Sequence, residues 1–337
     1  MNDEISAIRA RLGKRLCILA HHYQADEVVR HADILGDSLE LARHINGLEA
    51  QHIVFCGVHF MAETAAILAR PEQKVHIPNL GASCVMADMV PALLAEEVLS
   101  RLNRDGARII PLTYVNSSAA VKAVCGNHGG SVCTSANAPT MLRWALTQGD
   151  GVLFLPDANL GRNTARILGL DENRIERLDI RGQGSFVPAA EPSRQLYLWP
   201  GLCAVHAKFQ PGQVAAIREN EPEALIFVHP ECSPEVVAMA DGAGSTTYLI
   251  KAVAEAKSGS TVYVGTEWSL VNRLAARHPD KTIRPLRTAL CSNMAKVTEA
   301  NLSRMLQELD TALPVRVEEH ITRPARLALE RMLTACT

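Results

Sequence analysis

The sequence predicts an α/β fold made of three similar βαβαβ domains, each a three-layer arrangement of helices around a parallel sheet. Short apolar runs rich in β-branched residues alternate along the chain with segments of helical periodicity, which is typical of βαβ units. This alternation occurs three times, and each set closes at a lone cysteine, namely Cys84, Cys203 or Cys291. Parallel sheets covered by helices on both faces are the architecture that such a pattern favours.

Apolar runs supply the predicted strands, three to each unit. In the first unit they read LCILAHH, HIVFCGV and KVHIPNL. In the second they read RIIPLTYVN, GVLFLPDAN and QLYLWPG, and in the third ALIFVHPEC, STVYVGTEW and TIRPLR. Short apolar runs bounded by polar or turn-forming residues are typical of buried strands. We therefore expect each unit to follow the order β-α-β-α-β and then cysteine.

The cysteines also suggest the domain boundaries. We expect a first unit at 1–84 together with about 292–337, a second at 85–203 and a third at 204–291. The second unit is the longest, and its surplus lies in a polar, mixed stretch near 168–195 that we interpret as a surface insertion. The helix-like stretches after Cys291 are expected to pack back on the first unit.

Composition and charge narrow the classes of function. The chain has 337 residues, of which 47% are hydrophobic and 21% charged, with a net charge near −2. The sequence contains no cluster of basic residues of the kind that would predict a nucleic-acid partner. The charged start of the chain does not resemble a signal peptide, and no stretch approaches the roughly 18 apolar residues of a membrane span. We expect a cytoplasmic protein without a membrane partner.

The cysteine count points away from a disulfide framework. Nine cysteines in a chain without an export signal are expected to stay reduced and to serve metal binding, catalysis or packing. Cys17 and Cys56 lie in apolar strands and are expected to be core residues. Cys125 and Cys133, with His128 between them, suggest a zinc site, but no fourth ligand at a suitable spacing supports it.

Polar side chains follow most of the predicted strands. The carboxyl ends of parallel strands are where open α/β sheets bind ligands, so three such edges can converge on one site. Ser, Asn and Asp after a strand also commonly cap the next helix, and this alternative stays open for each residue taken alone. The candidate site residues are His21, Tyr23, Ser38, Tyr114, Asn116, Ser135, His229, Glu231, Ser245 and Thr246.

An ordered set of motifs resembles one known family. The motifs read LAHHYQADEVVRHADILGDSL, VFCGVHFMAET, TYVNSSAAVKA, CTSANA, LFLPDANLG, GLCAVH, HPEC, GSTTYLI, GTEW and CSNMAKVT. Together they resemble the quinolinate synthases, the enzyme A component of bacterial NAD biosynthesis. The resemblance runs from about residue 16 to 303 and leaves only the middle insertion and the two termini uncovered.

The resemblance implies a cofactor. It implies that three domains related by pseudo-threefold symmetry enclose a [4Fe–4S] cluster, with one ligand each from Cys84, Cys203 and Cys291. Three thiolates leave one iron open to act as a Lewis acid on a substrate. A fourth protein ligand, such as Cys232 or His206, would close that position. Some family members carry further cysteines at the third ligand, but here the segment reads CSNM, so only Cys291 serves.

The resemblance also implies a reaction, in which iminoaspartate and dihydroxyacetone phosphate condense to quinolinate, phosphate and two waters. A transient partner would be the L-aspartate oxidase that supplies the imine. The expected donors to the anionic substrates are the hydroxyl groups of Ser38, Ser135, Ser245 and Thr246 and the imidazoles of His21 and His229.

Proton transfer is assigned to other side chains. Glu231 is the leading general acid or base, because residues two apart on an extended segment face the same side, as His229 and Glu231 would. Tyr23 and Tyr114 are expected to relay protons or hold a departing hydroxyl, and Asn116 to orient a substrate oxygen.

Two other classes of function stay open. One is a different [4Fe–4S]-dependent hydro-lyase that acts on a hydroxy-dicarboxylate. The other is a non-catalytic sensor of iron or oxygen that binds nucleic acid, although no basic patch supports it. A Rossmann-type nucleotide enzyme is disfavoured, because no GxGxxG segment follows the first strand.

Overall fold

Three separate parallel sheets form the framework of the protein. The computed structural model describes residues 2–336, and in it every strand pairs in parallel with its neighbours. The sheets have 4, 5 and 4 strands in chain order. Helices and strands alternate throughout, which confirms the predicted α/β class. Each sheet falls within one predicted unit, whose boundaries at the three cysteines stay a proposal.

The first sheet has the strand order β2-β1-β3-β4. Its strands are β1 (Leu16–His21), β2 (Ile34–Gly36), β3 (His52–Cys56) and β4 (Lys74–His76). Its helices are α1 (Asn2–Leu12), α2 (Asp26–Val29), α3 (Ser38–Ile45) and α4 (His59–Leu68). The start of α3 is fixed by a capping box, in which Asp37 accepts from the backbone of Glu40 and the Glu40 side chain returns to the Asp37 backbone.

The second sheet has the order β6-β5-β7-β9-β8. Its strands are β5 (Ile109–Tyr114), β6 (Ser131–Cys133), β7 (Gly151–Leu155), β8 (Ile175–Arg177) and β9 (Leu196–Leu198). The helices are α5 (Val85–Asp88), α6 (Ala92–Leu102), α7 (Ala119–Asn127), α8 (Ala138–Leu146) and α9 (Ala158–Ile167). All residues of β5 and β7 are buried, which explains their unbroken apolar sequences.

The third sheet has the order β11-β10-β12-β13. Its strands are β10 (Leu225–Val228), β11 (Gly242–Ala243), β12 (Thr261–Gly265) and β13 (Thr282–Pro285). Its helices are α10 (Pro211–Asn220), α11 (Pro234–Met239), α12 (Thr246–Glu255) and α13 (Trp268–Arg277). Two further helices follow, α14 (Glu299–Gln307) and α15 (Glu319–Ala335).

The three sheets share one topology that the sequence only partly revealed. In each, the second strand of the unit lies outside the first, and the later strands extend the other side. These second strands, β2, β6 and β11, are two or three residues long and were not predicted, because such short runs carry no periodicity. The predicted insertion near 168–195 contributes β8, an edge strand of the second sheet.

The two C-terminal helices pack on different units. Helix α14 contacts α1 and α2, as expected for a return to the first unit, whereas α15 lies mainly against α7 and β6 of the second. Gly126 on α7 permits this approach, because a Cβ there would lie 1.8 Å from the carbonyl oxygen of Pro324 on α15. Within residues 2–336, no helix combines the length and apolarity needed to cross a membrane.

The first and third units are joined by direct hydrogen bonds. Arg273, only 3% exposed, donates to the backbone carbonyl of His22 over 2.8 Å and also contacts Asp26 and the Gln24 carbonyl. Thr247 on α12 donates to the Asp37 carboxylate over 2.9 Å. These contacts bring the strand ends of the two units to the same face of the molecule.

Candidate active site

A single cavity lies where the carboxyl ends of the three sheets meet. Side chains from all three units line it. Cys84, Cys203 and Cys291 are among the lining residues, although they are far apart in the chain. The cavity therefore has the composite character that the three repeated strand ends predicted.

The same backbone contact supports each cysteine loop. Each cysteine follows the strand that pairs with the third strand of its unit, namely β4, β9 or β13. We call these the fourth strands, because β9 occupies the position in its sheet that β4 and β13 occupy in theirs. Two residues before each cysteine, a carbonyl accepts a hydrogen bond from the first residue of a helix that follows the third strand. The donor and acceptor pairs are His59 to Ala82 (2.7 Å), Ala158 to Gly201 (3.0 Å) and Trp268 to Ala289 (3.0 Å).

The three thiols are close enough to influence one another. Burial raises the pKa of Cys84 to about 12, and the neighbouring Cys291 adds to the effect. Burial, Glu231 and Cys84 hold the pKa of Cys203 well above its usual range, and burial also raises the pKa of Cys291. Three buried thiolates are costly without a cation between them, so this donor set fits a cationic iron–sulfur core that needs thiolate ligands.

Among the described residues, one group of three potential metal ligands has its ligand atoms close together, and it contains only one of the three cysteines. Ligand atoms of Cys203, His206 and Glu231 all lie within 4.8 Å of one another. His206 uses both ring nitrogens already, one with Glu231 and the other with Thr266. Cys232 is fully buried, and its Sγ lies 3.8 Å from the Gly265 carbonyl rather than at the cavity wall. Neither His206 nor Cys232 is free to become a fourth cluster ligand without losing these contacts.

The zinc site that the sequence already disfavoured is not supported by the geometry either. Cys125 and Cys133 are both fully buried, on α7 and β6. His128 points instead to Glu96, at 2.5 Å, and the three form no metal-binding group among residues 2–336. Cys17 and Cys56 are buried in β1 and β3, as expected for core residues.

The ends of the first strands place two histidines in the same local geometry. The backbone N–H of Tyr23 donates to Nδ1 of His21 over 3.1 Å, and that of Glu231 donates to Nδ1 of His229 over 3.4 Å. In each ring Nδ1 is therefore the acceptor, and the neutral ring carries its proton on Nε2. Burial lowers the pKa of both His21 and His229 to about 3, so both are neutral N–H donors near neutral pH.

Glu231 is a buried carboxylate held by hydrogen bonds. It is 2% exposed, and its Oε2 lies 2.7 Å from Nδ1 of His206. Burial by itself would raise the pKa of Glu231, but His206, His229 and Tyr114 together hold that pKa well below its usual range. Glu231 is therefore an anion near neutral pH. In the hydrogen bond between them, Nδ1–H of His206 is the donor and the Glu231 carboxylate is the acceptor.

A hydrogen-bonded chain leads from Tyr23 to this carboxylate. The Tyr23 hydroxyl donates to Oγ1 of Thr266 over 2.7 Å, and Thr266 lies 3.3 Å from Nε2 of His206. The rings of His206 and His229 stack with centroids 4.5 Å apart. Burial raises the pKa of Tyr23 well above its usual range, so the phenol stays protonated and acts as a donor.

Tyr114 approaches the same carboxylate from the second unit. It contacts Glu231 and Ser135 through its hydroxyl, and burial followed by the charge of Glu231 raises its pKa well above the usual range. The Oδ1 atom of Asn116, two residues on, is buried and has no hydrogen-bond partner among the described residues. An unsatisfied amide oxygen in the cavity wall indicates a donor on a bound ligand.

The ends of the second strands carry hydroxyl groups. Ser38 and Thr246 are the first residues of α3 and α12, and Ser135 precedes α8. All three line the cavity, where helix N-termini favour anions. Ser245 does not line the cavity, because its hydroxyl accepts from the Tyr248 N–H as the cap of α12. Of the predicted site residues, only Ser245 lies outside the cavity wall.

Several polar residues of the site were not predicted. His206, in the GLCAVH motif, was considered only as a possible fourth cluster ligand, and no local pattern indicates that it meets Glu231. Thr266, in the GTEW motif, was not considered, and no local pattern indicates that it meets His206. Lys208, an exposed residue, is the one lysine or arginine among the described residues that line the cavity. Asp157 and Glu267, which cap α9 and α13, contact the cysteine loops. Helix capping was recognised from the sequence as a possibility, but the hydrogen bonds to the Cys203 and Cys291 N–H groups depend on the tertiary fold.

Comparison with known proteins agrees with this geometry. A family model described as quinolinate synthetase A protein matches residues 3–334. A protein of Halalkalibacterium halodurans named quinolinate synthase is 46% identical over 340 residues, covering 99% of this chain and 93% of that protein. Proteins with the same name from Herpetosiphon aurantiacus and Corynebacterium glutamicum are 45% and 43% identical, cover 99% of this chain, and are themselves covered to 92% and 87%.

Proposed function

This chain belongs to the quinolinate synthase family, and on that premise we propose that it condenses iminoaspartate with dihydroxyacetone phosphate in NAD biosynthesis. The products are quinolinate, phosphate and two molecules of water, which balances the atoms of the two substrates. The observation that carries the proposal is the convergence of three cysteines from three units on one cavity that also holds a buried carboxylate, neutral imidazoles and hydroxyl groups.

The cofactor of the proposed reaction is a [4Fe–4S] cluster held by Cys84, Cys203 and Cys291. The position of the three thiols in one cavity supports this ligand set, and Cys291 raises the pKa of Cys84 while Cys84 raises the pKa of Cys203. When bound, the cluster supplies an iron with an open coordination position that acts as a Lewis acid on a substrate. His206 is not part of the ligand set in this proposal, because both of its ring nitrogens serve the hydrogen-bonded chain.

Substrate binding falls to neutral donors. The hydroxyl groups of Ser38, Ser135 and Thr246 lie at or near helix N-termini, where the carboxylates of iminoaspartate and the phosphate of the second substrate are favoured. The Nε2–H groups of His21 and His229 add two donors that carry no charge near neutral pH. Neutral donors suit a site that must release phosphate as well as bind it.

Proton transfer centres on Glu231. As an anion inside the cavity, Glu231 accepts a proton from substrate carbon or nitrogen. His206 holds its second oxygen, and Thr266 and Tyr23 continue the chain away from the carboxylate. The phenols of Tyr23 and Tyr114 remain protonated. During the reaction each turns its single O–H from its present partner, Thr266 or Glu231, to a departing hydroxyl or a developing negative oxygen.

Two features of the cavity concern the substrates before reaction. The Asn116 amide oxygen awaits a donor, and the N–H of the substrate imine provides one. Lys208 is exposed and lines the cavity, where its charge attracts the anionic substrates. Because iminoaspartate hydrolyses readily, we propose that L-aspartate oxidase delivers it through a transient encounter.

The test is an anaerobic assay of the protein reconstituted with iron and sulfide. The reconstituted protein receives dihydroxyacetone phosphate and iminoaspartate generated in the same vessel from L-aspartate. We expect quinolinate and phosphate in equal amounts, measured by chromatography and a phosphate assay. The control omits dihydroxyacetone phosphate.

Two outcomes would overturn the proposal. Dehydration of a hydroxy-dicarboxylate such as malate, without quinolinate from the proposed substrates, would indicate a different hydro-lyase. Binding of DNA in a gel-shift experiment, without either reaction, would indicate the sensor.

A further inference from the structure

The helices that follow the third strands are capped differently in the three units. Asp157 caps α9 in the second unit and Glu267 caps α13 in the third, whereas Val58 stands at the start of α4 in the first and makes no side-chain cap. The three positions are equivalent, because the next residue in each case makes the backbone bond to the cysteine loop described above. Two units therefore have a carboxylate where the first has an isopropyl group.

Each of these carboxylates uses its two oxygens for different purposes. Oδ1 of Asp157 accepts from the Leu160 N–H over 2.7 Å, which is the helix cap, and Oδ2 accepts from the Cys203 N–H over 3.2 Å. In the third unit, Oε2 of Glu267 accepts from the Ser269 N–H over 2.7 Å.

The other oxygen of Glu267, Oε1, accepts from the Cys291 N–H over 3.3 Å. One oxygen of each carboxylate thus accepts from the backbone of its own helix, and the other accepts from the backbone of a cysteine; Oε1 of Glu267 also accepts from the Ser269 hydroxyl over 3.5 Å.

Capping alone does not explain these residues. Both side chains are fully buried, at 0% exposure, and a buried carboxylate costs free energy that a serine cap avoids. Glutamate is also outside the group of residues that N-cap positions prefer. The contact with Cys291 supplies the reason for the longer side chain at 267, and the contact with Cys203 supplies the reason for an acid at 157.

We propose that Asp157 and Glu267 are positioning residues that hold the Cys203 and Cys291 loops in place for the metal. The cluster part of this inference rests on the proposed function. The two carboxylates fix the peptide nitrogens of two ligands, so those loops keep their conformation before any iron is bound.

Among residues 2–336, no carboxylate accepts from the Cys84 N–H, and the Cys84 loop is held from outside the cavity. Asn79 donates to the Lys296 carbonyl over 2.9 Å, and Lys296 donates to the Gly81 carbonyl over 2.7 Å. Cys203 and Cys291 are therefore the prearranged pair, and Cys84 is the ligand whose loop must adjust most when the cluster binds.

The decisive variants are Asp157→Ser and Glu267→Ser, which keep a helix cap but are too short to reach the cysteine N–H. In the metal-free protein, we expect alkylation of Cys203 to be about tenfold faster in Asp157→Ser, with Cys291 unchanged within about twofold. Glu267→Ser should show the reverse. Peptide mass spectrometry reads the two sites separately, and this selectivity would not arise from a general loss of stability.

The second measurement follows the reconstituted protein. Loss of the cluster absorbance to an iron chelator should be about tenfold faster in either variant than in the wild type. Thr298→Ala is the matched control, because it removes a helix cap at α14, outside the cavity. It should leave the rate of cysteine alkylation and the rate of cluster loss unchanged. If a serine variant does not fold by circular dichroism, Asp157→Asn and Glu267→Gln replace it; each has one acceptor oxygen and should give a several-fold effect.

The outcomes separate the two proposals. Equal alkylation of both cysteines in the variants and the wild type would overturn the positioning role, whether or not a cluster forms. A wild-type protein that assembles no cluster would overturn the proposed function, while the alkylation experiment would still decide the role of Asp157 and Glu267. Faster alkylation at both cysteines in each variant would show a general loosening of the fold and would also overturn the proposal.

Discussion

The ends of the fourth strands and the ends of the first strands form two contrasting regions of the same cavity. Every fourth-strand end supplies a cysteine, so the three units are equal there. The first-strand ends are unequal: they supply His21 and Tyr23, then Tyr114 and Asn116, then His229 and Glu231. One repeated framework thus carries both a uniform set and a varied set of side chains.

The difference follows from what each region would bind in the proposed reaction. A cubane cluster presents equivalent irons, so three equivalent thiols from three similar units match it. Two different substrates present a carboxylate, an imine, a carbonyl and a phosphate, and these need different partners. We therefore expect substitutions at the uniform positions to have equal effects and substitutions at the varied positions to have unequal ones.

The largest effect is expected at the uniform positions. Replacement of Cys84, Cys203 or Cys291 by alanine should remove the cluster completely in each case, because no second cysteine lies within a few residues of any of them. Iron and sulfide analysis with an absorption spectrum measures the loss. Cys17→Ala and Cys56→Ala are controls that should retain the cluster. An intact spectrum in one of the three variants would break the equality of the units.

The next effect is expected at a varied position. Glu231→Gln keeps the size of the side chain but removes the base, and turnover should fall by about 10²-fold or more. The cluster spectrum and the melting temperature should be close to those of the wild type. A His229→Gln variant should lose less turnover and more substrate affinity. Equal losses in both variants would contradict the assignment of separate roles.

A buried lysine on α7 of the second unit, beside the first cysteine, offers a way to test how equal the cysteine environments are. Lys122 is fully buried near Cys84, and burial lowers its pKa from 10.5 to about 8, against the opposing charge of Glu63. Below pH 8 the fold carries the cost of a buried ammonium. Between about pH 8 and 10.5 the unfolded chain binds the proton more tightly, so Lys122 contributes a gain in stability of about 3 kcal/mol as the pH rises.

Lys122→Met should lack this dependence. The free energy of unfolding of the metal-free protein, measured with denaturant at several pH values, should rise relative to Lys122→Met between pH 8 and 10.5. If the free energies of unfolding of the wild type and of Lys122→Met change in parallel with pH over this range, the Lys122 ammonium is not destabilised by burial.

The smallest effects separate two neighbouring residues at the start of α12. Thr246→Val removes a hydroxyl from the cavity wall and should raise KM about tenfold with little change in stability. Ser245→Ala removes only the helix cap and should lower the free energy of unfolding by about 1 kcal/mol while leaving KM within about twofold. Steady-state kinetics and denaturant unfolding distinguish the two. The reverse pattern would place Ser245 in the site instead.

Long apolar strands and lone cysteines were the features that the sequence could predict. The apolar runs that became β1, β5 and β12 are long enough to be recognised as strands, and three lone cysteines in similar surroundings stand out in any composition. The short strands β2, β6 and β11 leave no such trace. Their positions followed only from the order of pairing in each sheet.

The finer geometry depends on contacts that no local pattern encodes. Thr266 meets Tyr23 across 243 residues, and His206 meets Glu231 across 25. Whether Ser245 or Thr246 faces the cavity is a matter of one residue at a helix start, which a sequence pattern cannot resolve. The docking of α15 on α7 was decided by the absence of a side chain at Gly126.

The bonds between the first and third units set a limit on when the site exists during protein synthesis. Arg273 reaches back 251 residues to the His22 carbonyl. At translation rates of roughly 5 to 20 residues per second, the early part of the chain waits on the order of 10 to 50 seconds for this partner. The first and second units share one hydrophobic core, but α14 and α15 also contribute to it, so that core is completed only after Arg273 has been made. We therefore expect iron and sulfide to be delivered to the finished chain rather than to the growing one.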